Sequence, residues 1–391
     1  MNRTPSFDYY QPTEIRFGWG RTDEMGEVAA SFGEKALLVT GSSSQAKFPL
    51  YKRIKKDLKE QGLETVHFDG VVSNPNTESI DRGVEIARQE NVDMVLGVGG
   101  GSSMDTAKAI AVGATHEGRA WDYRLFTDKE ITEDVLPIIT LTTTAGTGSQ
   151  VTPVSVVTNE EEKLKFALAD DLLCPDVSIV DPEVTLTVPG HVTASTGFDV
   201  FAHAFESYIH QDASPYTDLQ ARESLRLVAK YLPRVVEDGS DEEARYWMSW
   251  ADTLAGYCIA NSGTTLPHGM GMAIGGHATD VMHGEALAAV YPQFTRYTYE
   301  SAREKFARLG RIFRPELKEE PEQAAAEKTL EIIDEFLKEI GMWNDLEGLG
   351  VEKGELQAIA EDSVKLPDYQ VNPRVPDKGE ILELLEASYR R

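Results

Sequence analysis

The sequence predicts two domains in series, an α/β domain built on a parallel sheet and then an all-α domain. Three observations predict this. Between residues 35 and 149, short apolar runs alternate with amphipathic stretches, the rhythm of βαβ units. Beyond residue 190, nearly every segment carries a helical period. Between the two, Asp181-Pro182 and Pro189 interrupt regular structure. The boundary is therefore expected at 185, giving domains 1–185 and 186–391.

The elements follow in order. KALLVTG (35–41) reads as a buried strand, and 48–62 as an amphipathic helix with Leu50, Ile54 and Leu58 at four-residue spacing. ETVHFDG (64–70) is a second strand, and 77–91 a second helix. VDMVLGVGGG (92–101) is a strand ending in glycines, and SSMDTAKAIAVGA continues it as a helix. VLPIITLTTTAGTGS (135–149) is a strand running into a Thr/Gly turn. Such alternation implies a parallel sheet covered on both faces. Past the boundary, HVTASTGFDVFAHAFESYI, TDLQARESLRLVAKYL, EEARYWMSWADTLAGYCIA, ESAREKFARLGRIF and EKTLEIIDEFLKEIG all read as helices. The polar stretch 315–330 is expected to be a surface excursion.

Composition narrows the partners. The chain has 391 residues and a formal net charge of −27, which argues against nucleic acid or anionic membranes as partners. No run reaches the roughly 18 apolar residues of a membrane helix, and the N-terminus has no apolar run resembling a signal peptide. Cys174 and Cys258 are too few for a disulfide framework. A cytoplasmic, reduced protein is the expectation.

Four residues of the second half read as metal ligands. Asp199 and His203 are four apart, which puts both on one face of a helix; His268 and His283 can come from two further helices. Three imidazoles and a carboxylate suit Fe²⁺, Zn²⁺ or Mn²⁺. Glu206, one turn from His203, either supports a ligand or is an ordinary helix charge. His67, His116, His191 and His210 have no partner pattern.

In the first half, Gly99-Gly100-Gly101-Ser102 follows a strand and opens a helix. Glycines let a backbone approach a phosphate, and free N–H groups at a helix start favour an anion. The form is GGGSxxDxxK rather than GxGxxG. Thr142–Ser149 is a second hydroxyl- and amide-rich turn after another strand, and ligands of such sheets bind at the carboxyl ends of strands. Together the two turns predict a dinucleotide or nucleotide site. Asp105 either caps the helix or touches the cofactor. The first βα turn, with Gly41 and Ser42, carries no acidic residue. That leaves room for a 2′-phosphate and favours NADP over NAD.

These motifs accumulate into a resemblance to the iron-containing (group III) alcohol dehydrogenases, in the superfamily that also holds glycerol dehydrogenase and dehydroquinate synthase. It runs over nearly the whole chain, through SNPNTESI (73–80), GGGSSMDTAK (99–108), TTAGTGSQVTP (143–153), PDVSIVDPEVT (175–185), TGFDVFAHAFESY (196–208), AGYCIANSGTTLPHGMG (255–271), HGEALAAVYP (283–292) and NPR (372–374). The resemblance implies a dinucleotide-binding N-terminal domain and a helical C-terminal one. It implies Asp199, His203, His268 and His283 as metal ligands, with Asp199 and His268 acting in catalysis. It implies Gly99, Gly100, Gly101 and Ser102 as the pyrophosphate loop, and Thr143, Thr147 and Lys165 as further cofactor contacts. Fe²⁺ is expected ahead of Zn²⁺, the substrate is a small alcohol or aldehyde, and a homodimer or larger homo-oligomer is usual.

The chain departs from the family pattern in places. Members commonly carry a histidine four residues after the third ligand, where this chain has Met272; His277 is the substitute candidate for a proton relay. Gln150 stands where glutamate is usual, and Ser103 where proline is usual. The reaction expected is reversible hydride transfer between NAD(P)(H) and a primary alcohol or aldehyde. A polyol dehydrogenase and a hydroxyacid–oxoacid transhydrogenase are the alternatives within the superfamily. A lyase resembling dehydroquinate synthase would need a cluster of Lys and Arg for a phosphorylated substrate, and a metal-storage protein has no use for the glycine and threonine turns.

Overall fold

A computed structural model describes residues 6–41 and 49–391. Among the described residues, eight strands form in chain order: β1 (Glu14–Phe17), β2 (Lys35–Gly41), β3 (Glu64–Val71), β4 (Met94–Gly99), β5 (Ile138–Thr142), β6 (Val154–Asn159), β7 (Leu164–Ala169) and β8 (Val177–Val180). The helices of the first half are α1 (Met25–Ala29), α2 (Pro49–Glu60), α3 (Thr77–Glu90) and α4 (Gly101–Thr115). The second half holds α5 (Gly190–Ile209), α6 (Pro215–Glu237), α7 (Glu242–Asn261), α8 (Leu266–His277), α9 (His283–Thr298), α10 (Arg303–Phe313), α11 (Glu322–Glu339), α12 (Leu356–Ser363) and α13 (Lys378–Tyr389).

The chain divides into two compact units, Gln11–Val188 and Pro189–Arg391, the second joined by the N-terminal residues through Tyr10. Side-chain chemistry explains why that segment belongs with the helices. The Tyr10 amide donates to Asn261 Oδ1 at 2.8 Å, and Gln220 donates to the Tyr9 hydroxyl at 3.0 Å.

In the first unit, six strands make one parallel sheet in the order β1-β8-β5-β4-β2-β3. Its central strands are apolar on both faces, as burial under helices on each side demands. Leu38, Leu96, Val98, Leu141 and Ile179 pack with Met25, Ile54 and Leu58 into one core. Sequence reading missed β8, which lies inside the sheet between β1 and β5, and two further features. β1 adds an edge strand against β8, and β6 and β7 pair as a separate antiparallel hairpin.

In the second unit α5 is central and almost wholly buried. One face carries Phe198, Phe201 and Phe205; Phe205 meets Phe306 edge-on at 5.0 Å, and Phe201 lies 5.6 Å from Phe336. Asp199, His203 and Glu206 recur at three- and four-residue spacing on a different stripe. The stretch 315–330 is not simply a surface excursion. It contains the first half of α11, whose Ala325, Ala326 and Thr329 are buried. Among the described residues, no helix is long and apolar enough to cross a membrane.

Candidate active site

The ligand-type side chains of the second unit converge. Helix α5 supplies Asp199 and His203 from successive turns, α8 supplies His268 from its first turn, and α9 begins at His283. Asp199 Oδ1 is the common point, with His203 Nε2 at 3.5 Å, His268 Nε2 at 3.5 Å and His283 Nε2 at 3.9 Å. The His203 and His268 rings stack with centroids 4.7 Å apart.

The separations have a chemical meaning. Metal–nitrogen and metal–oxygen bonds of about 2.0–2.2 Å in a tetrahedral shell space the ligand atoms about 3.3–3.6 Å apart. Asp199 Oδ1 and His268 Nε2 are buried without a hydrogen-bond partner. Buried polar atoms rarely go unsatisfied, and a cation between them would satisfy both. Asp199, His268 and His283 each bring a ligand atom within 4.8 Å of the others, so these three fit a divalent cation, and His203 stands 3.5 Å from Asp199 as the fourth candidate. His283 is partly exposed, at 23%, so the group opens on that side.

Electrostatics match this reading. Burial alone would raise the Asp199 carboxyl, but His203, His283 and His268 outweigh it and hold it far below the usual carboxylate range. Burial would lower His268, yet Glu206 and Asp199 push it up to about 10. Glu206, itself fully buried, sits 2.9 Å from His268 Nδ1 and accepts from the Thr265 amide at 2.9 Å. A carboxylate at Nδ1 keeps a proton there, so Nε2, which faces Asp199, is the nitrogen left to ligate a cation once it gives up its own proton.

His277 lies elsewhere. Its Nδ1 is 2.6 Å from Glu355 and its Nε2 is 2.8 Å from Asp362. Both nitrogens are committed to pinning α8 against α12 and the turn before it. The sequence spacing that suggested a relay carried no information about those carboxylates. His277 does not enter the proposed catalytic set.

The residues predicted to hold a cofactor lie in the first unit. Gly41 ends β2, Gly99 ends β4 and Thr143 follows β5, and these three parallel strands are neighbours. Their carboxyl ends are where ligands of such sheets bind. Gly99 has φ 153°, a conformation that favours glycine. Gly100 caps α4 without a side-chain hydrogen bond, leaving the N–H groups of a long helix facing outward from the turn. The two turns touch. Thr143 donates its amide to the Gly99 carbonyl at 2.9 Å. A Cβ on Gly101 would lie 2.5 Å from Thr147 Cγ2, and one on Gly100 would lie 3.1 Å from Thr144 Oγ1. Ser102 follows Gly101 in the first turn of α4.

Two other predicted residues have visible partners. Asp105 spends both carboxylate oxygens within the protein, accepting from the Ser149 hydroxyl at 2.7 Å and the Val156 amide at 3.1 Å. Lys165, on β7, donates to Asn74 Oδ1 at 2.9 Å. Asn74 follows β3, so this pair also stands at the carboxyl edge of the sheet. Ser42 lies outside the described residues. Sequence reading missed Lys108, which is fully buried in α4; the K of GGGSxxDxxK was the available signal.

Comparison with known proteins agrees with the geometry. A profile described as iron-containing alcohol dehydrogenase matches residues 12–182. One described as Fe-containing alcohol dehydrogenase family, C-terminal, matches 193–389. The chain is 37% identical to choline dehydrogenase of Bacillus subtilis, over 93% of this chain and 90% of the relative. It is 31% identical to NAD-dependent methanol dehydrogenase of Bacillus methanolicus, over 97% and 99%. The crystal structure of an archaeal halo-thermophilic alcohol dehydrogenase from a Red Sea brine pool superposes with TM-score 0.95 at 35% identity, covering 99% of this chain and 100% of that one.

Proposed function

We propose, since this chain belongs to the iron-containing alcohol dehydrogenase family and is an NAD(P)-dependent alcohol dehydrogenase, that it interconverts a primary alcohol and its aldehyde. In this reading Asp199, His203, His268 and His283 hold one divalent cation, Fe²⁺ in preference to Zn²⁺. The observation that carries it is the convergence of three imidazoles on the buried Asp199 Oδ1.

A cation held there supplies Lewis-acid polarisation of the substrate oxygen, and a nicotinamide cofactor supplies the hydride acceptor or donor. The protein's own residues do the rest. Asp199 contributes the single negative charge of the ligand set, so the centre keeps net positive charge for an alcohol oxygen. Glu206 orients the His268 ring. The partly exposed His283 side admits the substrate. Met272 is a thioether and cannot carry a proton, so proton exchange is assigned to solvent. Gly99–Ser102 seat the pyrophosphate, while Gly41, Thr143, Thr147 and Lys165 contact the rest of the cofactor.

The preference proposed is NADP(H), because Gly41-Ser42-Ser43-Ser44 carries no carboxylate to repel a 2′-phosphate. The methanol dehydrogenase relative is described as NAD-dependent, which makes NAD(H) the competitor. The free thiols Cys174 and Cys258 fit a reducing cytoplasm. A homodimer or larger assembly completes the reading.

The test is aldehyde reduction by metal-loaded enzyme with each reduced cofactor. Turnover that is lost on chelation and restored by Fe²⁺ supports the reading, and metal-independent turnover contradicts it. Two variants sharpen it. Gly101→Ala introduces a Cβ at 2.5 Å from Thr147, and should raise the cofactor Kd about tenfold or more without changing metal content. Glu206→Gln should weaken metal affinity by about 10–100-fold, read by competition with a chelator. An unchanged metal Kd would reduce Glu206 to a packing residue.

A further inference from the structure

Asp105 and Lys108 stand one turn apart on α4 and are directed at one target. Lys108 is fully buried, and its Nζ donates to the carbonyls of Ser149, Thr152 and Val154 at 2.8, 2.7 and 2.8 Å. Those three bonds use all three donors of an ammonium. Asp105 accepts from the Ser149 hydroxyl and the Val156 amide, and its main-chain carbonyl accepts from the Ser155 hydroxyl at 2.7 Å. Every one of these partners lies in residues 149–156. That segment continues directly from Thr143–Gly148, the turn seated on Gly100 and Gly101. Val154, Ser155 and Val156 already belong to β6, which pairs with β7. Residues 143–153 lie between β5 and β6, outside any strand ladder, so the bonds to Ser149 and Thr152 hold a stretch that the sheet does not. The Ser178 hydroxyl adds a bond to the Gln150 carbonyl at 2.5 Å. Burying an ammonium is costly, and an apolar side chain would fill the same volume without that cost. A buried cation on three carbonyls fixes a loop in position, which apolar contact does not.

We propose that Asp105 and Lys108 are positioning residues for the cofactor: they clamp 149–156 to α4 and so keep the threonine turn against the glycine turn, without themselves touching the cofactor. This rests on the cofactor reading given above. In that reading Asp105 acts through Ser149 rather than as a direct contact.

The experiment uses metal-loaded enzyme and titrates NADPH and NADH by fluorescence, with kcat and both KM values measured in parallel. Lys108→Met and Asp105→Asn should each raise the cofactor Kd and KM about tenfold. Metal content, and alcohol KM at saturating cofactor, should stay within about twofold of the parent. Asp105→Ala combined with Ser149→Ala should be no worse than Asp105→Ala alone, because both remove the same Ser149–Asp105 hydrogen bond. Full additivity would overturn the brace in favour of direct contact. If Gly101→Ala weakens cofactor binding while Lys108→Met and Asp105→Asn do not, the brace fails and the cofactor site stands. If all three leave the cofactor Kd unchanged, the cofactor site itself fails. Should Lys108→Met not fold, the isosteric Asp105→Asn decides.

Discussion

Replacing His268 by Ala abolishes turnover. The expected fall in kcat/KM is on the order of 10³ or more, because the change removes a ligand and not merely a support. The side chain is buried, its Nε2 faces Asp199 Oδ1 at 3.5 Å, and its Nδ1 is held by Glu206. Truncation leaves the fully buried Glu206 carboxylate with only Thr265 beside it, so bound metal should fall to a small fraction of one per chain. Cofactor binding should be unaffected, since every residue proposed for it lies in the other unit. Metal analysis, cofactor titration and initial rates on one preparation check all three. A His268→Ala enzyme with parental metal content and rate would remove this residue from the ligand set.

Gly284→Ala is the second large effect, and it acts through packing. A Cβ at Gly284 would lie 2.0 Å from the Ser195 carbonyl oxygen and 2.7 Å from its carbon. Both are backbone atoms of α5, so no side chain can turn aside to make room. α9 must move away from α5, carrying His283 with it. Overpacking of this kind costs about 3 kcal/mol. For a unit of this size that corresponds to a Tm about 6–12 °C lower. Because His283 starts the same helix, metal affinity should fall together with stability. Thermal unfolding with and without added metal provides the check. A Tm within about one degree of the parent at full metal content would show that the helix contact yields more readily than the geometry implies.

Local chemistry was legible in the sequence, and long-range pairing was not. The i, i+4 pair Asp199 and His203 could be placed on one helix face because the helical period is fixed. That His268 and His283 would meet them depended on how α8 and α9 dock on α5, which no single segment encodes; the motif resemblance bridged that gap. The glycine and threonine turns were readable because glycine marks sites where a backbone must come close. The strand order and the β6–β7 hairpin were not readable, because short apolar runs look alike whichever neighbour they pair with. His277 shows the converse limit. Its place in the chain suggested a relay, but its chemistry is set by Glu355 and Asp362, which lie far along the sequence. Lys108 and Glu206 were hard to weigh for the same reason, since a buried charge is distinguished from a surface one only by what surrounds it.

The most direct measurement is anomalous diffraction from crystals of the metal-loaded enzyme, collected on both sides of the iron absorption edge. The account predicts one peak per chain, about 2.1 Å from Asp199 Oδ1 and from an imidazole nitrogen of His203, His268 and His283. A catalytically active crystal whose only peak lies away from these four side chains, or that shows none, would contradict it.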